Sequence, residues 1–417
     1  MKYCTNCGTQ LEDDVRFCPK CGTQSAKEAV NHAKADVNDA AQSDKQSSEK
    51  NESWFDRLTR GINEFAGGGK NAVRPPLKTI FGGVFEKHSK EDSEKIFICG
   101  TSTTTPVLGE DGKAWPKTWL WSRILLAFVA AFVLLHLCCA SFDNLNAYPG
   151  IMVIGAFMVP LAILVFFFEL NTPQNISFFN VIKYFLIGGC ASLVVTLLIF
   201  SFLDGSRNEW VGALVTGIVE EVAKLAVVAF IIWNNKNAKY GLNGLLIGAA
   251  VGAGFAAFES AGYAFRNCLE ALLSTLSFTS AYDAMVDNIF LRAFLAPGGH
   301  VIWAAMSGYA LMLVKGKKQL TMGFLNSGAF WKIFWIPIAL HAIWDMPITF
   351  GNTMVGALIP RIILVLFGWV VTFVFIGNSL SQIGSILQEK QQSTEHEENT
   401  VSPDAEEAIL SSNTSVQ

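Results

Sequence analysis

Eight apolar runs dominate this 417-residue chain, near residues 119–139, 150–169, 181–203, 210–233, 241–263, 293–314, 329–350 and 355–380. Each is about long enough to cross a ~30 Å hydrocarbon core as a helix. Hydrocarbon offers the backbone no hydrogen-bond partners, so the chain must satisfy its own N–H and C=O groups, which helices do. The runs therefore predict an all-α polytopic membrane protein with about eight transmembrane helices. Composition agrees: 51% of residues are hydrophobic and only 16% charged, too apolar for an ordinary soluble protein of this length. A net charge of −4 argues against a strongly basic nucleic-acid binder.

The polar ends read differently. Cys4, Cys7, Cys18 and Cys21 form two CxxC knuckles, CTNC and CPKC, each followed by a glycine (Gly8, Gly22) that permits the tight turn. Four thiolates at this spacing close a tetrahedral site, which predicts a structural zinc in a small ribbon over residues 1–24. Two disulfides are the alternative. Thiolates kept reduced place the N-terminus in the cytosol. Residues 25–118 read as a linker with an amphipathic helix near Trp54, Phe55, Leu58, Ile62 and Phe65. The membrane domain spans 119–384, and 385–417 has the acidic, polar composition of a disordered tail. Basic clusters at Lys113, Lys117 and Arg123, at Lys236 and Lys239, and at Lys315, Lys317 and Lys318 fall on one side of an eight-span topology, with both termini cytoplasmic. The 264–292 connection then lies outside, as a surface amphipathic helix.

Within the apolar runs stand groups that bilayers penalise. Glu220, Glu221 and Lys224 occupy the fourth run, Glu259 the fifth, His300 the sixth, and His341 and Asp345 the seventh. A charge at the centre of a membrane helix costs roughly 2.5–3.5 kcal/mol on insertion scales, so such residues usually serve a function. At ~1.5 Å rise per residue, all four runs bring these groups to one layer in the outer half of the bilayer. Glu220 and Lys224 share a helix face, as do Phe255 and Glu259, and His341 and Asp345. Small residues flank them (Gly212, Ala213, Gly217; Gly248, Gly252, Gly254; Gly298, Gly299) and allow close helix approach. Arg361 near the last run reads as snorkelling to head groups, His32 and His88 as solvated, and Cys138, Cys139, Cys190 and Cys268 as small apolar fillers.

The ordered motifs EEVAK, FAAFE, GGHVIWAAMSGY and LHAIWD resemble the PrsW family of intramembrane proteases, which is related to the CAAX-processing and bacteriocin-processing group. The resemblance covers roughly residues 181–380 and leaves the ribbon outside as an accessory module. It implies peptide-bond hydrolysis within the membrane, on regulatory membrane proteins such as anti-sigma factors. By this resemblance Glu220, Glu221, Glu259, His300 and His341 carry over as the catalytic set, with Lys224 and Asp345 as supporters. Both metal-dependent and glutamate-only schemes are proposed for the wider group.

The residue types suit such chemistry. A glutamate in low dielectric is a competent base near neutral pH, and two imidazoles can donate to an oxyanion. Alternatively, carboxylates and imidazoles together could hold a catalytic zinc. Glu220 and Glu221 diverge by about 100° around the helix, which favours Glu259 as the partner of one of them. The expected partners are a membrane-protein substrate, the lipid bilayer and a cytosolic protein that the ribbon recruits; no nucleic acid is expected, given Glu12, Asp13 and Asp14 beside the knuckles. The rivals are a proton- or cation-coupled transporter, which predicts inverted repeats, and a non-catalytic membrane scaffold.

Overall fold

In the computed structural model the chain separates into two compact units, Met1–Arg60 and Gly61–Gln417. The structure describes residues 2–3, 10–11, 53–68, 76–108, 116–142, 144–203 and 208–400. In the first unit Lys2–Tyr3 (β1) pairs antiparallel with Gln10–Leu11 (β2), in the register Lys2↔Leu11. This pair brackets Cys4 and Cys7 in sequence. All four predicted zinc ligands, and residues 25–52 of the linker, lie outside the described residues. The amphipathic helix is present as Trp54–Phe65 (α1).

The second unit is helical. After a one-turn helix Leu77–Ile80 come α2 (Lys90–Ile98), α3 (Leu120–Phe142), α4 (Tyr148–Leu170) and α5 (Phe178–Ser201). They are followed by α6 (Glu209–Asn234), α7 (Gly241–Thr275), α8 (Phe278–Leu295), α9 (His300–Lys315), α10 (Gly328–Asp345) and α11 (Met354–Thr400). Among the described residues six spans are long and apolar enough to cross a membrane: α3, Leu145–Leu170, α5, α7, Phe278–Lys315, and Met354–Leu387 in α11. The protein is therefore multi-pass, but the expected count of eight is not reached on these grounds. The two missing runs are α6 and α10. Glu220, Glu221 and Lys224 dilute the first, and Lys332, His341 and Asp345 the second.

Several boundaries move. The 264–292 stretch is not a separate surface helix: α7 continues through Thr275, where Leu276 in the left-handed conformation ends it, and α8 starts at Phe278. The sixth apolar run is broken by a tight turn at Ala296–Gly298, so His300 opens a new helix instead of lying inside one. At the C-terminus α11 runs on to Thr400, into the segment expected to be disordered. Residues 76–108 form a packed collar. Phe81 stacks on Phe166 at 5.5 Å, and Thr118 donates its hydroxyl to the carbonyl of Ile80. His88, expected to be solvated, stacks on Trp119 at 3.7 Å. The buried Glu169 carboxylate accepts the backbone N–H groups of Trp119, Leu120 and Trp121, capping α3.

The long helix α7 is the centre of the domain, buried along nearly its whole first half, and it packs most extensively on α9. Gly244, Gly248 and Gly252 recur every four residues and so form one stripe. A Cβ on each would run into the carbonyl oxygens of Gly308, Ala304 and His300 respectively. Without side chains the two backbones touch, as small residues allow in membrane helices. Gly254 faces the other way, against Phe185 in the π-helical turn Tyr184–Gly188 of α5 and Gly189 just after it. Gly217 on α6 does the same for α10, where a methyl would sit 2.8 Å from the backbone nitrogen of Ala342. Gly212 has no such neighbour, and Gly299 meets only Ala296 at ordinary contact distance.

Replacing Gly248 by valine forces branched carbons into the Ala304 backbone, which cannot yield. Thermal unfolding in detergent should show a loss of about 1–3 kcal/mol, the usual range for overpacking, while the open Gly212→Ala site should tolerate its change.

Candidate active site

The close approaches set up the polar cluster. Gly217 lets α6 reach Ala342, and one turn further along α6 Glu220 and Glu221 come against His341. The Gly252 contact fixes the start of α9, and two turns further along α7 Glu259 meets His300.

Lys224 is the hub. Its ammonium is fully buried, 2.6 Å from Glu221 Oε1 and 3.7 Å from Glu220 Oε2. It also lies 2.8 Å from His300 Nδ1 and 4.4 Å from the centre of the Phe255 ring, which offers it a cation–π face. An ammonium has only donors, so His300 Nδ1 is the acceptor and the proton of a neutral imidazole sits on Nε2. Consistently, Nε2 lies 3.0 Å from Glu259 Oε2. His341 is held the opposite way round. Its Nδ1 donates to Glu221 Oε1 at 2.8 Å, and its Nε2 faces Glu220 Oε2 at 3.6 Å and Asp345 Oδ2 at 3.4 Å. Trp303 stacks on the His341 ring at 4.5 Å, and the two imidazoles are 5.0 Å apart.

All seven residues singled out from the sequence thus converge from α6, α7, α9 and α10. One pairing differs from expectation. Glu220 and Glu221 share Lys224 and His341 between them, whereas Glu259 is reached only through His300 on one side and Arg292 on the other. Sequence reasoning missed Arg292, which sits on α8 in what reads as a connecting segment; a basic residue four positions before the break at Ala296 was the available signal. Arg361 does not snorkel. Its guanidinium donates to the carbonyls of Met346, Ile348 and Ala357, fastening the loop that leaves Asp345. Exposure rises across the cluster, from 0% at the Glu221 side chain through 15% at Glu259 to 33% at Asp345, so the site opens on the Asp345 and Arg292 side.

Glu220, His300 and His341 each present one ligand atom within 4.8 Å of the others. A carboxylate with two imidazoles is a donor set that zinc accepts. The surroundings fit as well. Each imidazole turns its far N–H to a carboxylate, the half-buried Glu259 for His300 and the buried Glu221 for His341, which is the arrangement found around metal-ligating histidines. Glu220 Oε2 and Glu221 Oε2 are buried and accept no hydrogen bond among the described residues.

Residues 177–377 match the model of the PrsW family intramembrane metalloproteases, and residues 3–25 match a zinc-ribbon domain. The chain is a homologue of the PrsW proteases. It is 24% identical over 219 residues to Protease PrsW of Shouchella clausii strain KSM-K16, covering 51% of this chain and 91% of that protein. It is also 24% identical over 188 residues to Protease PrsW of Halalkalibacterium halodurans (44% and 77% covered). With Protease PrsW of Clostridioides difficile strain 630 it shares 27% identity over 174 residues (40% and 66% covered). No solved structure matches the chain. The PrsW-like region includes all four helices of the cluster, and the Glu220, His300 and His341 group is consistent with a catalytic site.

Lys224→Met keeps the length of the side chain but leaves Glu221 without its counter-ion. Removing one partner of a buried pair costs about 3–5 kcal/mol, which thermal unfolding in detergent will read as a large drop in midpoint.

Proposed function

We propose that this protein is an intramembrane endopeptidase that cleaves membrane-embedded regulatory substrates, of which anti-sigma factors are one class, with Glu220, Glu221, Glu259, His300 and His341 as its working set. The observation that carries this reading is the convergence of three carboxylates, two imidazoles and one ammonium from four helices around a single buried point.

Hydrolysis of an amide requires a base for water, charge stabilisation at the oxyanion and a proton for the leaving amine. Glu220, His300 and His341 would hold a zinc ion, which when bound supplies Lewis-acid polarisation of the scissile carbonyl. Glu221 then takes the proton from water on Oε2, while Lys224 and His341 pin its Oε1 and fix its direction. Glu259 and Glu221 orient the two imidazoles. Glu221 then passes that proton to the departing amine, and Asp345, at the open edge beside His341 Nε2, accepts a hydrogen bond that orients this region of the site. A second reading rests on Lys224, whose ammonium already engages His300 Nδ1. In that glutamate-only scheme Glu220 is the base and Lys224 supplies the positive charge.

The N-terminal ribbon holds a structural zinc through Cys4, Cys7, Cys18 and Cys21 and recruits a cytosolic partner. The eight-span arrangement, with both termini cytoplasmic, follows from the lysine clusters once α6 and α10 are counted as spans.

Two experiments follow. In co-expression with candidate membrane substrates, Glu221→Gln, His300→Ala and His341→Ala should each lower cleavage by about 10²-fold or more, the scale of a lost acid–base group; unchanged cleavage in all three defeats the peptidase reading and favours a scaffold. A variant with all four ribbon cysteines replaced by serine separates the two schemes. A chelator abolishes its cleavage if Glu220, His300 and His341 hold zinc, and leaves cleavage intact if Lys224 supplies the charge.

A further inference from the structure

Arg292 lies outside every motif that marks the site, yet it is tied into it more firmly than several motif residues. Its guanidinium Nη2 donates to Glu259 Oε2, the same oxygen that receives His300 Nε2. Its Nε donates to the Ser260 hydroxyl at 2.8 Å, and its guanidinium carbon lies 4.7 Å over the Tyr263 ring. The side chain comes from α8, which is joined to α9 only by the turn Ala296–Gly298, so it reaches back across that turn to α7. Three separate anchors on one guanidinium leave it a single orientation. A planar guanidinium stays protonated in any protein, so Glu259 is held as an acceptor-only carboxylate beside it.

We propose that Arg292 is a positioning residue for the hydrolysis: by clamping Glu259 it holds the His300 ring from the Nε2 side, so that Nδ1 stays turned to the interior of the site. The proposal rests on the peptidase reading for its consequence but not for its geometry. His300 opens its helix with Gly299 in front and makes no other fixed side-chain hydrogen bond among the described residues than those to Lys224 and Glu259. With the clamp removed, Glu259 is free to turn toward solvent, and among the described residues only Lys224, on the Nδ1 side, still fixes the ring through a side-chain hydrogen bond. Arg292 acts at a distance from the reacting atoms, so its loss should lower turnover and leave substrate affinity unchanged. Outer partners of site histidines typically contribute 10–100-fold.

The test uses the full-length protein in detergent or bilayers, with histidine labelled at both ring nitrogens. His300 is assigned by the signals lost in His300→Gln. The wild type should show His300 as the neutral tautomer protonated on Nε2. Arg292→Ala and Glu259→Gln should each shift the Nε2 signal as its hydrogen bond to position 259 weakens, and Arg292→Lys, which keeps one donor to Glu259, should largely retain it. In the cleavage assay Arg292→Ala should reduce kcat 10–100-fold with KM unchanged, and should add no further loss in a Glu259→Gln background, since residues acting through one contact are not additive. A His300 proton on Nδ1 in the wild type, an unchanged signal in Arg292→Ala, or additive losses in the double variant each overturn the clamp. Should no substrate be cleaved by the wild type, the peptidase reading fails, and the nitrogen signals alone still decide whether Arg292 holds His300 through Glu259.

Discussion

A buried ammonium decides how this domain is put together. Lys224 is fully enclosed, and an uncompensated charge there would be prohibitive. Its carboxylate partners Glu220 and Glu221 lie on its own helix, which neutralises the charge locally but leaves further acceptor positions to fill. The lone pair of His300 and the face of Phe255 fill them, from two other helices. Helices α6, α7 and α9 are thus bound to one point, and α10 joins through His341 on Glu221. The apolar mass of the domain packs around this knot; lipid-exposed helices such as α3 could be re-spaced without disturbing it.

Such a knot requires backbones to touch. Hydrocarbon gives helices little reason to associate through leucine, because lipid tails are as apolar as the side chains. The glycine stripe Gly244, Gly248 and Gly252 removes the side chains between α7 and α9, and Gly217 does so between α6 and α10. Each close contact lies one or two turns before a site residue, so the two features work as a pair. Glycine brings the axes together, and the carboxylates and imidazoles further along find themselves within hydrogen-bond reach. The same economy explains the ionisable groups that α6 and α10 carry within apolar runs: what these helices surrender in lipid solubility they regain in internal ion pairs.

Much of the site was legible because its ingredients are chemically improbable where they stand. Glu220, Glu221, Lys224, Glu259, His300, His341 and Asp345 are conspicuous against apolar runs, and their i, i+4 spacings already state which share a face. Arg292 was not legible. It lies among mixed residues with Asp283 and Asp287 nearby, where an arginine carries no surprise, and its role depends on a turn at Ala296–Gly298 that the pattern of apolar residues does not mark. Arg361 was misread for a related reason: a terminal arginine near a proline suits snorkelling equally well until the Met346–Ile348 carbonyls are seen to need donors.

The sequence alone determined that the chain crosses a membrane, that it carries a four-cysteine module near its N-terminus, and which seven ionisable groups stand within apolar runs, since transfer free energy and helical periodicity are local properties of the chain. Only the tertiary structure decided who partners whom: that Glu220 and Glu221 share one lysine and one histidine, that Glu259 belongs to His300 and Arg292, and that the site opens beside Asp345. Those choices depend on distances between helices far apart in sequence, which are set by backbone contact at a few glycines and by the turn before His300, and no one-dimensional period encodes them.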